Sequence, residues 1–351
     1  MIADSSSEVS IPYCLGDCGK APSAGLRVAS LFSGGGGSCI GYRLAGCRVL
    51  LSVDIDPNMS RQVAANSLAD SCLVADVRDP SVGEALRDLR PLDVLDGSPP
   101  CSSFSTAGHR EAAWGKKHRF REGQVAQILD DLPLHFVRRV HDVQPRFAVM
   151  ENVMGLTAGK ARGFLREILS GLFRAGYETQ TLRIDASAFG VPQARERLFL
   201  IARRRDLGLP ALSIRGNRRK MSAAWALSGL PPPAPGQVRH LTEWMAQAWK
   251  RTRPGDPLVR DIERRLRRRS VRDFYKLHPD RPSPCLSANL DGHTHWDSPR
   301  WLTWPERRRL AGFPDDYRVE SENLGKRIVG YSVAPLVTRE IARAIRERLQ
   351  R

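Results

Sequence analysis

Arg27-Val28-Ala29-Ser30-Leu31-Phe32-Ser33-Gly34-Gly35-Gly36-Gly37-Ser38 is a short apolar run that breaks into four glycines and then a helix-like stretch, Ile40–Ala45. Such a run reads as a buried strand. Glycines let the backbone approach a ligand closely and leave the N–H groups of a following helix available. Taken alone, the turn reads equally as a plain loop. Its surroundings say more. Strands are expected at Val28–Phe32, Val49–Val53, Leu73–Ala75, Val94–Asp96, Phe147–Glu151, Thr179–Ile184 and Leu198–Ala202. Helical patterns fall between them at Asn58–Leu68, Val125–Val143 and Arg162–Ala175. This alternation predicts an α/β fold with a doubly wound, Rossmann-like and mostly parallel sheet.

The rhythm stops near Arg205. Beyond it the chain turns Pro-, Trp- and Arg-rich, with Pro231-Pro232-Pro233-Ala234-Pro235 and Arg264-Arg265-Leu266-Arg267-Arg268-Arg269, so a second, smaller domain is expected. At the end, Leu336, Val337, Ile341, Ala342 and Ile345 recur at helical spacing, as in an amphipathic helix returning to a core. A length of 351 residues suits one large domain and one smaller one. The formal charge is +17 and the pI near 10.2, which points to a polyanionic partner. Between Arg203 and Arg281, 20 Lys or Arg face 7 Asp or Glu, so this stretch supplies +13 of the total. The seven cysteines are scattered without a disulfide-like pattern, and Asp4 and Glu8 stand where a secretory signal would be basic and apolar. A reducing, cytoplasmic location follows. No apolar run approaches the ~18 residues of a membrane span. Cys14 and Cys18 lack a second pair of ligands nearby, so no metal site is expected.

Three groups of residues carry chemistry. Cys101 follows Gly97-Ser98-Pro99-Pro100 at the end of the Leu92–Asp96 strand, where two prolines stiffen the turn. Rigid placement suits a nucleophile, although a lone cysteine is more often a small core residue. Asp54, twenty residues after Gly34 and at a strand end, is placed to accept hydrogen bonds from ribose hydroxyls. Asp76, after the third strand, is placed to meet an adenine amino group. Glu151-Asn152-Val153 closes the fifth strand, on the rim where parallel sheets carry their functional groups. Arg195 and Arg197 alternate in Gln193-Ala194-Arg195-Glu196-Arg197 and so face one side of an extended segment.

Read in order, Phe32–Gly37, Asp54, Asp76, Pro100-Cys101, Glu151-Asn152-Val153, Gln193-x-Arg195-x-Arg197, Arg281–Asn289, Glu306–Tyr317 and Gly330-Tyr331-Ser332-Val333 resemble the motif series of the cytosine-C5 DNA methyltransferases, across about residues 27–349. The resemblance implies S-adenosylmethionine as cofactor, held by Phe32, Ser33, Gly34, Gly36, Gly37, Asp54, Ile55, Asp76, Val77, Ser98, Pro99, Ser332 and Val333. Cys101 matches the residue that attacks C6, Glu151 the carboxylate at the N3 and amino edge of the base, and Arg195 the arginine that steadies it, with Arg197 beside them. The target cytosine is then expected to flip out of duplex DNA. Ser105–Gly123, rich in Arg, Lys, His and Gly, would close over it. The chain departs from the family at Tyr331, where asparagine is usual, and Ile55 stands near where an aromatic residue often lies.

The implied organisation is a flexible extension over 1–25, a catalytic cofactor-binding domain over 26–205, a DNA-recognition domain over 206–325 and a C-terminal helix over 326–351 returning to the catalytic domain. Duplex DNA is the expected partner, a monomer the expected form, and the cytoplasm, on nucleoid DNA, the expected place; the sequence leaves open whether a cognate restriction endonuclease exists. The run Arg264–Arg269 reads equally as a solvated helix face or a DNA contact. Three other readings stand beside this one. The tRNA-directed branch of the superfamily typically carries a Cys-Phe-Thr element that is absent here. A sequence-specific DNA-binding protein without catalysis is disfavoured by the intact Cys101, Glu151, Arg195 and Arg197. A dinucleotide oxidoreductase accounts for neither Pro100-Cys101 nor the basic region.

Overall fold

The structure, a computed structural model, describes residues 11–19, 25–100, 131–159, 161–216, 220–258, 274–288 and 292–350. Cys101, Ser105–Gly123, Arg264–Arg269 and Asn289 lie outside the described residues. Compactness divides the chain into two units. One holds Gly16–Ile184, Glu196–Arg215 and Val337–Arg351; the other holds Met1–Leu15, Asp185–Arg195 and Gly216–Leu336.

The first unit carries seven strands: β1 Arg27–Leu31, β2 Arg48–Asp54, β3 Ser71–Val74, β4 Val94–Gly97, β5 Phe147–Val153, β6 Tyr177–Asp185 and β7 Glu196–Arg204, in the order β3-β2-β1-β4-β5-β7-β6. The pairs among β1 to β5 are parallel and β7 runs antiparallel to β5. Val28, Ala29, Leu31, Val94 and Leu95 are all buried, because central parallel strands are covered on both faces. Among the described residues, the helices α1 Gly37–Leu44, α2 Pro57–Ala65, α3 Pro80–Asp88, α4 Leu132–Val143 and α5 Ala161–Arg174 accompany the sheet. Phe136, Val140, Val82, Leu86, Ile168 and Leu172 bring α3, α4 and α5 into one apolar cluster with the strands. The helix α3 was not anticipated, yet its start is conventional: the Asp79 carboxylate accepts from the Ser81 N–H and Pro80 takes the first turn.

Strand order reverses between β1 and β4, and the chain leaving each strand there forms the crevice at which open α/β sheets bind ligands. The register sharpens this. Leu31 pairs with both Val53 and Gly97, and Gly97 pairs with Met150. The next residues, Phe32, Asp54, Ser98 and Glu151, therefore stand in one row across four adjacent strands: Phe32 and Ser98 just beyond β1 and β4, Asp54 at the end of β2 and Glu151 near the end of β5.

In the second unit, β8 Tyr275–Lys276 and β9 His293–Thr294 pair in parallel. Helices cover Ala223–Leu227, Glu243–Arg251, Trp304–Leu310 and Glu322–Tyr331, with a small core of Leu241, Met245, Ala248, Trp249 and Leu258. A bidentate pair between Arg300 and Glu306, at 2.8 and 2.7 Å, satisfies two buried charges.

Three features of the described residues bear on the organisation. Ile11–Leu15 is anchored instead of flexible. Ile11 and Tyr13 are buried, Tyr13 Oη donates to the Gly312 carbonyl at 2.8 Å, and the Leu15 N–H donates to Asp316 at 2.7 Å. The units do not divide at residue 205, because β7 pairs with β5 and the sheet unit resumes at Glu196 after Asp185–Arg195. Residues 326–351 are not one helix. Ser332 takes extended backbone (φ −68°, ψ 148°), which ends Glu322–Tyr331, and Pro335 then opens a separate helix, Pro335–Leu349. Among the described residues no helix is long and apolar enough to cross a membrane.

Candidate active site

The glycine turn after β1 is built by unusual backbone. Phe32, Gly34 and Gly36 have φ of 53°, 51° and 83°, and a non-glycine residue at positive φ is uncommon enough to mark a functional turn. Ser33 Oγ lies 2.7 Å from Ser52 Oγ, and the Ser33 carbonyl accepts the Gly36 N–H at 2.9 Å. At Gly36 an added Cβ would lie 2.5 Å from Leu68 Cδ1, so the close approach to the core requires glycine. Among the described residues a Cβ on Gly34 would meet nothing within 4 Å, which leaves open space above the turn.

Asp54 ends β2 and is fixed by two backbone donors. The Gly34 N–H reaches Oδ2 and the Asp56 N–H reaches Oδ1, each at 2.8 Å. The second strand thus orients its carboxylate through the turn after the first. Ile55 follows, half-buried. Asp76 follows β3 and is held by Arg78 Nε and Nη2 at 2.9 and 2.8 Å and by the Arg78 N–H at 2.9 Å. Burial pushes the Asp76 carboxyl up, but the Arg78 hydrogen bonds outweigh it and leave the group below the usual carboxylate range. The Val77 side chain joins the core, and its carbonyl accepts from Arg139 Nε and Nη2 at 3.0 and 2.8 Å. Arg139 also donates to the Asp79 carbonyl at 2.7 Å, so one buried guanidinium braces the loop.

Across the switch point, Ser98 and Pro99 follow β4, where Gly97 is required by Phe136: a Cβ there would lie 2.6 Å from the ring. Asn152 Nδ2 donates to the Pro99 carbonyl at 3.4 Å and ties the Glu-Asn-Val segment to the turn that leads into Cys101. Glu151 is 7% exposed, and its Oε1 lies 3.1 Å from Arg197 Nε. Arg197 sits opposite Val153 on β7, and Phe199 sits opposite Glu151, so the ion pair is the diagonal neighbour expected across an antiparallel pair.

Burial alternates along Gln193–Arg197, with Gln193 and Arg195 buried and Ala194 and Glu196 exposed, as the alternating arginines predicted. Arg195 belongs to the other unit. Its Nη2 donates to the Gly330 carbonyl at 3.0 Å and its Nη1 to Cys285 Sγ at 3.3 Å. A Cβ on Gly330 would come within 2.2 Å of the Ala288 N atom, so this segment is packed backbone to backbone. Ser332 and Val333 are buried in the same unit, while Tyr331 is 52% exposed.

Glu151 and Arg197 are therefore brought together, and Phe32–Gly37, Asp54, Ser98, Pro99 and Glu151 share one rim. Arg195, Ser332 and Val333 fall in the second unit. Arg78 and Arg139 hold Asp76 and the Val77–Asp79 loop without having been singled out from the sequence, and Asn152 was named only as part of Glu151-Asn152-Val153, with no role of its own. For Asn152 a signal existed in its place beside Glu151; for Arg139, on a helix sixty residues away, none did.

Residues 26–347 match the family model described as C-5 cytosine-specific DNA methylase. The chain is 32% identical over 344 residues to the Type II methyltransferase M1.HphI of Haemophilus parahaemolyticus, covering 91% of this chain and 86% of that protein. It is 26% identical over 383 residues to the Type II methyltransferase M.XorII of Xanthomonas oryzae pv. oryzae, covering 92% and 84%. Its fold is similar to that of a prophage-encoded Escherichia coli protein assigned as a DNA modification methyltransferase, with a TM-score of 0.73 at 22% identity over 93% of this chain and 100% of that one. The chain belongs to the C-5 cytosine-specific DNA methylase family. It is a DNA cytosine-5-methyltransferase.

Proposed function

We propose that the protein methylates C5 of cytosine in one specific duplex DNA sequence, using S-adenosylmethionine, an everted target base and a covalent bond between Cys101 and C6. The observation that carries this reading is the row Phe32, Asp54, Ser98 and Glu151 across the C-terminal ends of four adjacent strands, with Arg197 against Glu151. The residues present suit the cofactor. Open space lies above Gly34, a carboxylate oriented by backbone stands at Asp54, and apolar surface is offered by Ile55. Phe32, Ser33, Gly34, Gly36, Gly37, Asp54, Ile55, Asp76, Val77, Ser98 and Pro99 would hold it. Bound S-adenosylmethionine supplies an electrophilic sulfonium methyl group.

The thiolate of Cys101 adds to C6, forming an S–C6 bond and moving the C5–C6 π electrons onto C5, which becomes nucleophilic. Glu151 faces the N3 and amino edge, where a proton shared between its carboxyl group and N3 offsets the negative charge that develops in the ring. Arg197 orients Glu151, and Arg195 steadies the base. Once C5 has taken the methyl group, a base removes the C5 proton, the C–H electron pair re-forms the C5–C6 double bond, and the S–C6 bond breaks to release Cys101 as thiolate. The base is reached by eversion, because C5 and C6 are covered within the stack. Residues 206–325, which carry +8 of the chain's net +17, bind phosphates and read base edges in the major groove. Duplex DNA is the partner, a cognate restriction endonuclease is its functional counterpart, and the working form is a monomer.

Bisulfite sequencing of a plasmid from cells expressing the protein tests this. Protected cytosines in one short context are expected, and none with Cys101→Ser. Normal protection with Cys101→Ser would refute the nucleophile assignment.

A further inference from the structure

One buried carboxylate stands under the rim with no part in the reaction so far. Asp96 lies on β4 directly opposite Ser30 of β1 and is 4% exposed. Its Oδ2 accepts from Ser30 Oγ at 3.0 Å and from Ser38 Oγ at 2.7 Å, and its Oδ1 accepts from Tyr42 Oη at 3.2 Å. Ser38 and Tyr42 are four residues apart, so they share one face of α1. A valine or isoleucine would fill a central parallel strand without the cost of burying a charge. The hydroxyls stand in for water, and desolvation still pushes the Asp96 carboxyl up to about 6 against their pull, with the Glu151 charge adding to the rise.

The carboxylate thus gathers three elements at the switch point. α1 begins at Gly37, immediately after the turn that would receive the methyl donor, and β4 runs into Ser98-Pro99-Pro100-Cys101. We propose that Asp96 is a positioning residue: by accepting from Ser30, Ser38 and Tyr42, it sets where Gly34–Gly37 stands relative to the strand that carries the nucleophile turn. The proposal rests on the reading above that the glycine turn receives S-adenosylmethionine. A role in core stability alone predicts a lower melting temperature with unchanged cofactor affinity. A positioning role predicts a change in affinity that a shape-preserving substitution rescues.

Titration calorimetry with S-adenosylmethionine on the full chain separates these. Asp96→Ala is expected to weaken binding about tenfold, the scale of one or two lost hydrogen bonds, and Asp96→Asn to restore most of it. Ser38→Ala and Tyr42→Phe remove one donor each and should weaken binding about two- to fivefold; they serve where Asp96→Ala does not fold. In ligand-free protein, amide exchange at Gly34–Gly37 should accelerate in Ser38→Ala. Folded variants with wild-type affinity and wild-type exchange would overturn the positioning role alone. A wild-type protein that binds no S-adenosylmethionine would overturn the cofactor reading, and this proposal with it.

Discussion

Arg197 Nε lies 3.1 Å from Glu151 Oε1, with both side chains largely withdrawn from solvent. The contact joins the last turn of β5 to the first residues of an antiparallel β7, so the sheet itself aims the carboxylate. Arg197→Ala should lower the methyl-transfer rate about ten- to a hundredfold, because a largely buried carboxylate is left without its cation, a loss of roughly 1.5–3 kcal/mol. Arg197→Lys keeps the charge but not the planar guanidinium and should fall between the two. Single-turnover kinetics with DNA in excess would measure this; equal rates for Arg197→Ala and wild type would show that Glu151 needs no partner.

The two glycines of the turn should fail differently. Gly36→Ala puts a Cβ 2.5 Å from Leu68 at a φ of 83° and should destabilise the fold by about 1–3 kcal/mol. Gly34→Ala meets no neighbour, so its folded-state cost is the roughly 1–2 kcal/mol of a left-handed alanine, while its methyl group enters the space expected to receive the cofactor. Urea unfolding and calorimetry together would show Gly36→Ala weaker in stability and Gly34→Ala weaker in binding. The reverse pattern would contradict this assignment of the turn.

Two buried groups give opposite pH signatures. Burial first, and the Arg307 charge second, hold His293 down at about 3, below the ~6.5 of an exposed histidine. The unfolded chain takes up that proton as pH falls from about 6.5 toward 3 and the folded protein does not. The contribution of His293 is therefore complete above about pH 6.5 and lost on acidification. His293→Gln should flatten the acid limb of stability against pH by up to about 1.4 kcal/mol per pH unit. Asp96 behaves inversely: its folded value of about 6 exceeds the ~3.9 of an unfolded aspartate, so its favourable contribution is present below about pH 4 and is lost as pH rises through 6. Cys39, pushed up to about 12, and Tyr42, raised well above its usual value, remain neutral beside it, and Glu151 is the other acidic group acting on it. Relative to Asp96→Asn, the wild type should lose stability between about pH 4 and 6; parallel curves would contradict the buried-acid assignment.

All seven strands were legible because apolar runs bounded by glycine, proline and acidic residues are local signals. Their register was not, and it is register that lines up Phe32, Asp54, Ser98 and Glu151. Asp54 was found from its spacing to Gly34, and the fold closes that spacing into a 2.8 Å hydrogen bond. Asp76 was read as an adenine acceptor with no hint that Arg78, two residues on, holds both its oxygens. Asp96 read as an ordinary member of a buried strand, because its partners Ser38 and Tyr42 lie more than fifty residues earlier. The anchoring of Ile11–Leu15 to residues about three hundred positions away is equally non-local.

The most direct test is transfer of labelled methyl from S-adenosylmethionine to mixed-sequence duplex DNA, followed by nucleoside mass spectrometry. The expected product is 5-methyl-2′-deoxycytidine, formed by the wild type and absent with Cys101→Ser. Label in tRNA but not duplex DNA, methylation at a base nitrogen, or undiminished C5 methylation by Cys101→Ser would contradict the proposed reaction.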